Sequence, residues 1–191
     1  MVPVSVERAA LGVLLSGTGR TLANLLQRID AGALPARVAC VVSDRADVRG
    51  LALARDAGIP TFVEVDGGRT FDILRAHDVA LVCLCGYLRL LHIPADFADR
   101  VLNIHPSLLP KFGGKGFYGS HVHAAVLAAG EKESGCTVHL CDDEYDRGSI
   151  VLQQRVPVLP EDDVARLAAR VFDAECEAYP EAIRQWIAAR R

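Results

Sequence analysis

The sequence of 191 residues predicts an α/β fold: a Rossmann-like, doubly wound, mostly parallel sheet with a mixed or antiparallel late edge and a long C-terminal helix. Short apolar runs alternate with helical stretches, which is the pattern of right-handed β–α–β crossovers. Residues 79–85 (VALVCLC) are almost uninterruptedly apolar, as is typical of a central strand covered on both faces. Two strand-like runs at residues 135–141 and 149–156 follow each other closely, which favours an antiparallel or mixed edge.

The predicted bounds of the individual elements are set by the residues at which the apolar runs end. The first run ends at a Ser-Gly-Thr-Gly turn, and Gly58-Ile59-Pro60 ends an alanine-rich helical stretch. The predicted strands are residues 10–15, 36–43, 61–65, 79–85, 103–105, 135–141 and 149–156. The predicted helices are residues 21–29, 48–57, 71–77, 121–129 and a long one over residues 162–189. This pattern predicts the fold class and leaves the strand order open.

Composition narrows the class of protein. Hydrophobic residues make up 51% of the chain, which argues against disorder and predicts one domain over residues 1–191. A net charge of −3 gives no electrostatic reason to expect nucleic acid as a partner. No stretch has the length of a membrane-spanning helix, and the N-terminus does not match a secretory signal, so we expect a cytoplasmic protein without membrane contact.

The six cysteines are predicted to be small buried hydrophobes in a reducing compartment. None of them stands in a C-x-x-C pair, and several lie inside strand-like apolar runs. This usage favours neither disulfides nor a zinc site.

The segment NIHPSLLP at residues 103–110 is the strongest candidate for chemistry. In an extended strand, Asn103 and His105 point to the same side, while Ile104 faces the other way. An amide beside an imidazole can stabilise an oxyanion and move a proton. For an isolated N-x-H the alternative is a capped strand end, but the eight-residue context favours the functional interpretation.

A second candidate is the turn SGTGRT at residues 16–21, between the first predicted strand and the first helix. Small residues and unpaired helix N–H groups suit a phosphate, and Arg20 adds a cationic donor. The spacing matches neither a dinucleotide nor a nucleoside-triphosphate motif, so a monophosphate ester is the best functional interpretation. A purely structural turn is the equal alternative.

Other polar groups give weaker indications of a functional site. The acidic turn at residues 142–148 is typical of a solvated loop, although one of its carboxylates could lie beside His105. His121 and His123 do not share a helix face, so metal binding is not predicted. His139 lies within a strand and either points into a cleft or packs. Residues 113–116 (GGKG) predict a mobile loop rather than a P-loop.

Taken in order, five segments resemble those of the phosphoribosylglycinamide formyltransferase family: SGTGRTL, LCGYLRLL, LNIHPSLLPKF, GCTVHLCDDEYDRGSI and RVFDAECEAYP. The resemblance spans nearly the whole chain. It implies that a formyl group passes from 10-formyltetrahydrofolate, the co-substrate, to the amine of 5-phosphoribosylglycinamide, without a metal. It also implies small-molecule partners and a monomer or homodimer.

The resemblance implies a catalytic trio of Asn103, His105 and Asp146. Asn103 and protonated His105 would stabilise the tetrahedral oxyanion. Asp146 would raise the pKa of His105 and favour its charged form, and His105 would transfer a proton to the departing folate nitrogen.

Binding residues are implied in the same way. Those for the ribonucleotide are Gly19, Arg20, Thr21, Pro106 and Glu175, with Glu175 meeting the amine. Those for the folate are Arg69, Leu88, Arg89, Leu90, Leu91, Cys141 and Asp142.

Two departures from the family pattern concern the choice of substrate. Arg20 and Thr21 stand where the family commonly has serine and asparagine, and residues 113–123 (GGKGFYGSHVH) replace a shorter Pro-Gly stretch. Lys115 or Tyr118 in this loop is a candidate contact for the folate tail or the phosphate. The alternatives are a formyltransferase acting on another small phosphorylated amine, a formyltetrahydrofolate hydrolase, and a catalytically silent nucleotide-binding module.

Overall fold

A computed structural model describes residues 8–190, which form one seven-stranded sheet with helices on both faces. The strands are β1 (Ala9–Leu15), β2 (Ala36–Ser43), β3 (Thr61–Val63), β4 (Leu81–Leu84), β5 (Val101–His105), β6 (Glu133–Leu140) and β7 (Ile150–Pro157). The helices are α1 (Arg20–Asp30), α2 (Arg49–Asp56), α3 (Gly67–Ala76), α4 (Ser120–Ala128) and α5 (Val164–Ala188). The predicted α/β class is confirmed.

The strand order is β3-β2-β1-β4-β5-β6-β7. The first five strands in this order run parallel, and β6 and β7 are antiparallel to their neighbours, which confirms the predicted mixed late edge. The chain reverses its direction of progress between β1 and β4. In a doubly wound sheet, ligands bind outside the carboxyl ends of the strands at such a point.

The core lies on both faces of the sheet. All four residues of β4 are buried, as expected for a central strand. Helix α5 covers one face, and the hydroxyl of buried Tyr179 shares its hydrogen between the carbonyls of Leu84, at 3.1 Å, and Leu102, at 2.8 Å. This contact ties α5 to the adjacent strands β4 and β5, close to the ends where the cleft opens.

Most elements begin or end one or two residues from their predicted bounds, and the largest difference, at the start of α3, arises in the loop after β3. The strand predicted to reach residue 65 ends at Val63, because the Glu64 carboxylate accepts the N–H groups of Val65 and Asp66, both at 2.9 Å, and turns the chain. Asp66 then accepts the N–H of Arg69 and caps α3, so this helix begins at Gly67 rather than at residue 71.

The crossover from β4 to β5 contains no α-helix, only a short 3-10 turn at Ala95–Phe97. The chain between these strands therefore stays at the carboxyl end of β4 for several residues before it returns. This path leaves residues 86–93 beside the strand ends, where a ligand can reach them.

Four of the six cysteines are buried, as predicted, and Cys141 and Cys176 are half-buried. In residues 8–190, no helix combines the length and the apolarity that crossing a membrane requires.

Candidate active site

A cleft with a volume of about 560 Å³ opens at the carboxyl ends of the parallel strands, next to the β1–β4 switch point. Its size lies within the range of small-molecule sites. All predicted site residues except Arg69 line it. The fold therefore brings together residues from segments that lie more than 150 positions apart in the chain.

Arg69 is the exception. It lies in the first turn of α3, outside the cleft wall, and its backbone N–H is held by the Asp66 cap. Assigning Arg69 to the folate site needed a gap in the matched segments, and the structure does not bring this residue to the cleft.

Asn103 and His105 lie at the end of β5, where they share one face of the strand as predicted. His105 is 4% exposed, and its Nε2 donates to the carbonyl of Phe112 at 2.8 Å. Because a carbonyl oxygen only accepts, Nε2 carries a hydrogen, and in the neutral ring Nδ1 is left with the lone pair. Nδ1 lies 3.5 Å from an Asp146 carboxylate oxygen.

The net shift of the His105 pKa is opposite to the effect expected from Asp146 alone. Burial lowers the pKa of His105 and outweighs the Asp146 carboxylate and the Phe112 carbonyl, which raise it, so the pKa lies below its ordinary value. Asp146 acts with the predicted sign, but desolvation of the ring is the larger effect. The neutral imidazole is therefore the favoured form near pH 7.

Asp146 reaches the trio from the turn after β6, in a left-handed backbone conformation with φ of 56°. Its carboxylate accepts the N–H of Gly114 at 2.9 Å, which joins the acidic turn to the glycine-rich loop. Burial alone would raise the pKa of Asp146. The His139 and His105 imidazoles when protonated, together with the Gly114 N–H, outweigh burial and hold the pKa of Asp146 below its ordinary value, so the carboxylate is ionised.

The predicted phosphate end is built from the backbone. Gly19 has φ of 77°, and a Cβ there would lie 2.6 Å from the Cα of Gly50, so only glycine fits. No side chain caps α1, which leaves its first N–H groups to a ligand. The exposed Arg20 guanidinium lies over the Phe172 ring, 4.0 Å from its centroid, and is held by this stacking.

Glu175 projects from α5 into the same cleft and is 6% exposed. Burial raises the pKa of this carboxyl to about 7, although Arg20 acts in the opposite sense. A carboxyl with this pKa exchanges its proton near neutral pH, which suits a group that meets an amine.

The predicted folate end is formed by two facing loops, residues 86–93 and 141–146. Asp143 accepts the N–H of Ile93 at 3.1 Å and links the loops. The Leu88 N–H is already bound to the Ser16 hydroxyl at 3.1 Å, so this backbone donor holds the phosphate loop instead of facing a ligand. Leu88 and Leu90 are 38% and 39% exposed and offer apolar surface.

Several wall residues were not assigned from the sequence. Tyr87, His123 and His139 line the cleft, as do the two loop candidates Lys115 and Tyr118. His123 is 2% exposed, its Nδ1 has no hydrogen-bond partner in the described part of the chain, and burial lowers its pKa to about 4. Within residues 8–190, no three His, Cys, Asp or Glu side chains are grouped as metal ligands would be.

The family model described as formyl transferase matches residues 10–183. The chain is 38% identical over 186 residues to phosphoribosylglycinamide formyltransferase of Haemophilus influenzae, in an alignment that covers 91% of this chain and 85% of that protein. Fold and site therefore define a formyl transferase. Within that class, the chain belongs to the phosphoribosylglycinamide formyltransferase family.

Two further similar proteins support the same family. The chain resembles the crystal structure of glycinamide ribonucleotide transformylase 1 from Symbiobacterium toebii, with a TM-score of 0.84 and 42% identity, over 94% of this chain and 87% of that one. It is also 42% identical over 193 residues to trifunctional purine biosynthetic protein adenosine-3 of Drosophila melanogaster. That alignment covers 94% of this chain and spans only 14% of the larger protein.

Proposed function

We propose that this protein transfers the formyl group of 10-formyltetrahydrofolate to the amine of 5-phosphoribosylglycinamide, giving formylglycinamide ribonucleotide and tetrahydrofolate. One observation carries the proposal. The trio of Asn103, His105 and Asp146 lies in the same cleft as a free helix N-terminus and a buried Glu175, so one substrate can reach all three features.

The phosphate is proposed to bind at the N-terminus of α1, beside Gly19 and Thr21, with Arg20 as the cationic donor. Pro106 lines the same cleft and follows His105 directly in the chain. Glu175 lies where the amine of such a substrate would enter, and its ionised form stabilises the ammonium that arrives from solution. The ammonium then gives one proton to the Glu175 carboxylate, whose pKa is about 7, and the free amine that results is the nucleophile.

The pterin is proposed to bind between residues 86–93 and 141–146, where Leu88 and Leu90 supply apolar surface and backbone groups of Arg89 and Leu91 read its edge. Cys141 and Asp142 close the other side. This placement brings the formyl carbon to the trio.

In the reaction, the amine attacks the formyl carbon, a C–N bond forms, and the formyl oxygen takes up the negative charge. An Asn103 N–H donates to this oxyanion. Neutral His105 accepts the proton that the attacking nitrogen loses, and Asp146 stabilises the resulting imidazolium. His105 then gives this proton to N10 of the folate as the C–N10 bond breaks and the carbonyl re-forms.

This order of proton transfers differs from the one expected from the sequence, in which His105 is charged from the start. Burial favours the neutral ring before reaction. Asp146, whose pKa is held below its ordinary value, is ionised and ready to stabilise the charge when it forms. His105 is therefore proposed as a base first and an acid second.

The test is an optical assay of folate release with purified protein, 10-formyl folate and 5-phosphoribosylglycinamide. Release that requires the ribonucleotide, together with formylated ribonucleotide in the product, supports the proposal. Ribonucleotide-independent release would identify a hydrolase, and binding of both ligands without release would identify a silent module.

The second candidate is transfer to another small phosphorylated amine. Arg20 and the loop at residues 113–119 favour it, because both depart from the family pattern and both line the cleft. Competition among phosphorylated amines in the same assay separates the two acceptors. The cytoplasmic location and the state as a monomer or homodimer stay predictions.

A further inference from the structure

Asn103 has a partner on the neighbouring strand. Asn103 on β5 is directly paired with His139 on β6 in the antiparallel register. Directly opposite residues project from the same face of a sheet and their side chains meet. The Asn103 Nδ2 accordingly lies 3.1 Å from the His139 Nε2, inside the cleft wall, and His139 is 1% exposed.

A backbone carbonyl sets the tautomer of His139. Its Nδ1 lies 3.0 Å from the carbonyl oxygen of Leu140. The carbonyl has no hydrogen to offer, so Nδ1 is the protonated nitrogen, and Nε2 of the neutral ring is an acceptor. Nε2 of His139 can therefore accept a hydrogen bond at the position where the Asn103 amide lies.

Two acceptors now define the direction of that amide. Nδ2 of Asn103 donates to the His139 Nε2 and has a longer contact of 3.4 Å with the Asp146 carboxylate. Turning the amide over would place its oxygen against a lone pair and a carboxylate, which is unfavourable. The nitrogen consequently lies on the side of Asp146 and His105, where the proposed reaction develops negative charge.

The two N–H groups of the amide are not equivalent. The contact with Asp146 is long and is the one that an incoming oxyanion can replace. Once that N–H turns to the substrate, His139 is the acceptor that still holds the amide. In this tautomer the His139 Nε2 has no hydrogen to donate to the Asp146 carboxylate 3.5 Å away, so it is free to accept from Asn103 at 3.1 Å.

We propose that His139 is a positioning residue for formyl transfer, which accepts one N–H of Asn103 and thereby aims the other at the oxyanion. This inference rests on the proposed function. His139 itself transfers no proton and touches no reacting atom. Its effect on the rate passes through Asn103.

The first experiment is a double-mutant cycle on the full chain. His139→Leu removes the acceptor, and we expect kcat to fall at least tenfold while the KM values change little, since one oxyanion donor is worth about 10²–10³ in rate. His139→Gln can place an amide oxygen near the position of Nε2, and we expect it to recover most of the rate. In an Asn103→Ala background, His139→Leu should have no further effect on kcat.

Additive losses in this cycle, or equal losses in His139→Leu and His139→Gln, would overturn the inference. A structural role would instead lower the midpoint of thermal unfolding in parallel with kcat, so unfolding is measured for each variant. If His139→Leu is destabilised, the inference can still be tested, because the kcat values of His139→Leu and His139→Gln are compared at a temperature where both variants are folded.

The second experiment does not depend on turnover. Nitrogen-15 NMR of the imidazoles at about pH 8, above the range in which they ordinarily titrate, reports which nitrogen of His139 carries the hydrogen, with His139→Gln identifying the signals. A hydrogen on Nδ1 supports the inference, and a hydrogen on Nε2 overturns it. If this tautomer is found but the wild type transfers no formyl group, the proposed function has failed instead.

Discussion

The two ends of the cleft are built on different principles. The proposed phosphate end uses one contiguous stretch, residues 16–21, and offers backbone N–H groups and an exposed Arg20. The transfer end uses side chains from β5, β6 and the turn after β6, and its His105 and His139 are almost wholly buried. The ligand-facing groups of the first end come from one local segment, and those of the second are brought together by tertiary structure.

This difference predicts how each end of the cleft responds to a substitution. Backbone donors persist when a side chain is replaced, so the phosphate end should lose affinity gradually. Buried polar groups depend on one another for their hydrogen bonds, and the removal of one leaves its neighbours unpaired. We therefore expect changes at the transfer end to act on kcat or on stability, and changes at the phosphate end to act on KM.

The largest effect is expected at His105. His105→Ala removes both the proton acceptor and the proton donor of the proposed reaction, so kcat should fall by about 10²–10⁴. Calorimetric titration should show folate binding almost unchanged, because His105 lies on β5 and is not part of either loop proposed to bind the pterin. An equal loss of folate binding would contradict the separation between the two kinds of end.

The second largest effect is expected at Gly148, which ends the turn that carries Asp146. A Cβ at this position would lie 1.7 Å from the carbonyl oxygen of Leu140, so Gly148→Ala must displace the turn. We expect a loss of more than about 2 kcal/mol in the free energy of unfolding, together with a lower kcat.

Gly67→Ala is the matched control for Gly148→Ala. A Cβ at Gly67 would meet only a Leu91 methyl group at 4.0 Å, which is an ordinary contact. Urea unfolding should show little change for this variant. Comparable destabilisation of the two variants would mean that the close approach at Gly148 is not the cause.

Glu175→Gln is expected to remove a pH-dependent loss of stability. Burial raises the pKa of Glu175 from 4.5 to about 7, so the folded state binds this proton more tightly than the unfolded state, and wild-type stability falls as the pH rises through that interval. Glutamine removes this loss. Urea unfolding should show a gain of up to about 3 kcal/mol at pH 8 and little gain near pH 5, at 1.36 kcal/mol per pKa unit.

The control for Glu175→Gln is Asp173→Asn, an exposed carboxylate on the same helix, which should change stability little at either pH. The gain from Glu175→Gln should come with a higher KM for the amine substrate. A gain of equal size at both pH values would show that the ionised carboxylate is not the source of the instability.

The smallest effect is expected at the phosphate end. Arg20→Ala removes one exposed cation while the N–H groups of α1 remain, so the ribonucleotide KM should rise about tenfold, worth about 1.4 kcal/mol, with kcat unchanged. Arg37→Ala, an exposed arginine at the amino end of β2, far from the strand ends that form the cleft, is the control. An unchanged KM in Arg20→Ala would mean that the phosphate binds elsewhere.

Much of this site could be predicted where function depends on local spacing. The i, i+2 parity of a strand was enough to place Asn103 and His105 on one face, and the Ser-Gly-Thr-Gly turn predicted an open helix terminus. His139 could not be assigned in the same way, because its contact with Asn103 depends on the register between two strands 36 positions apart. Spacing within one segment carries no information about that register.

The sequence by itself determined the α/β class and the mixed late edge and, through family resemblance, predicted the trio. Apolar periodicity, turn residues and contiguous motifs act over a few positions and can be read from the chain. Only the tertiary structure decided that Arg69 lies outside the cleft, that burial outweighs Asp146 at His105, and that His139 meets Asn103. Desolvation and cross-strand contact depend on which distant segments pack together, and no local pattern encodes them.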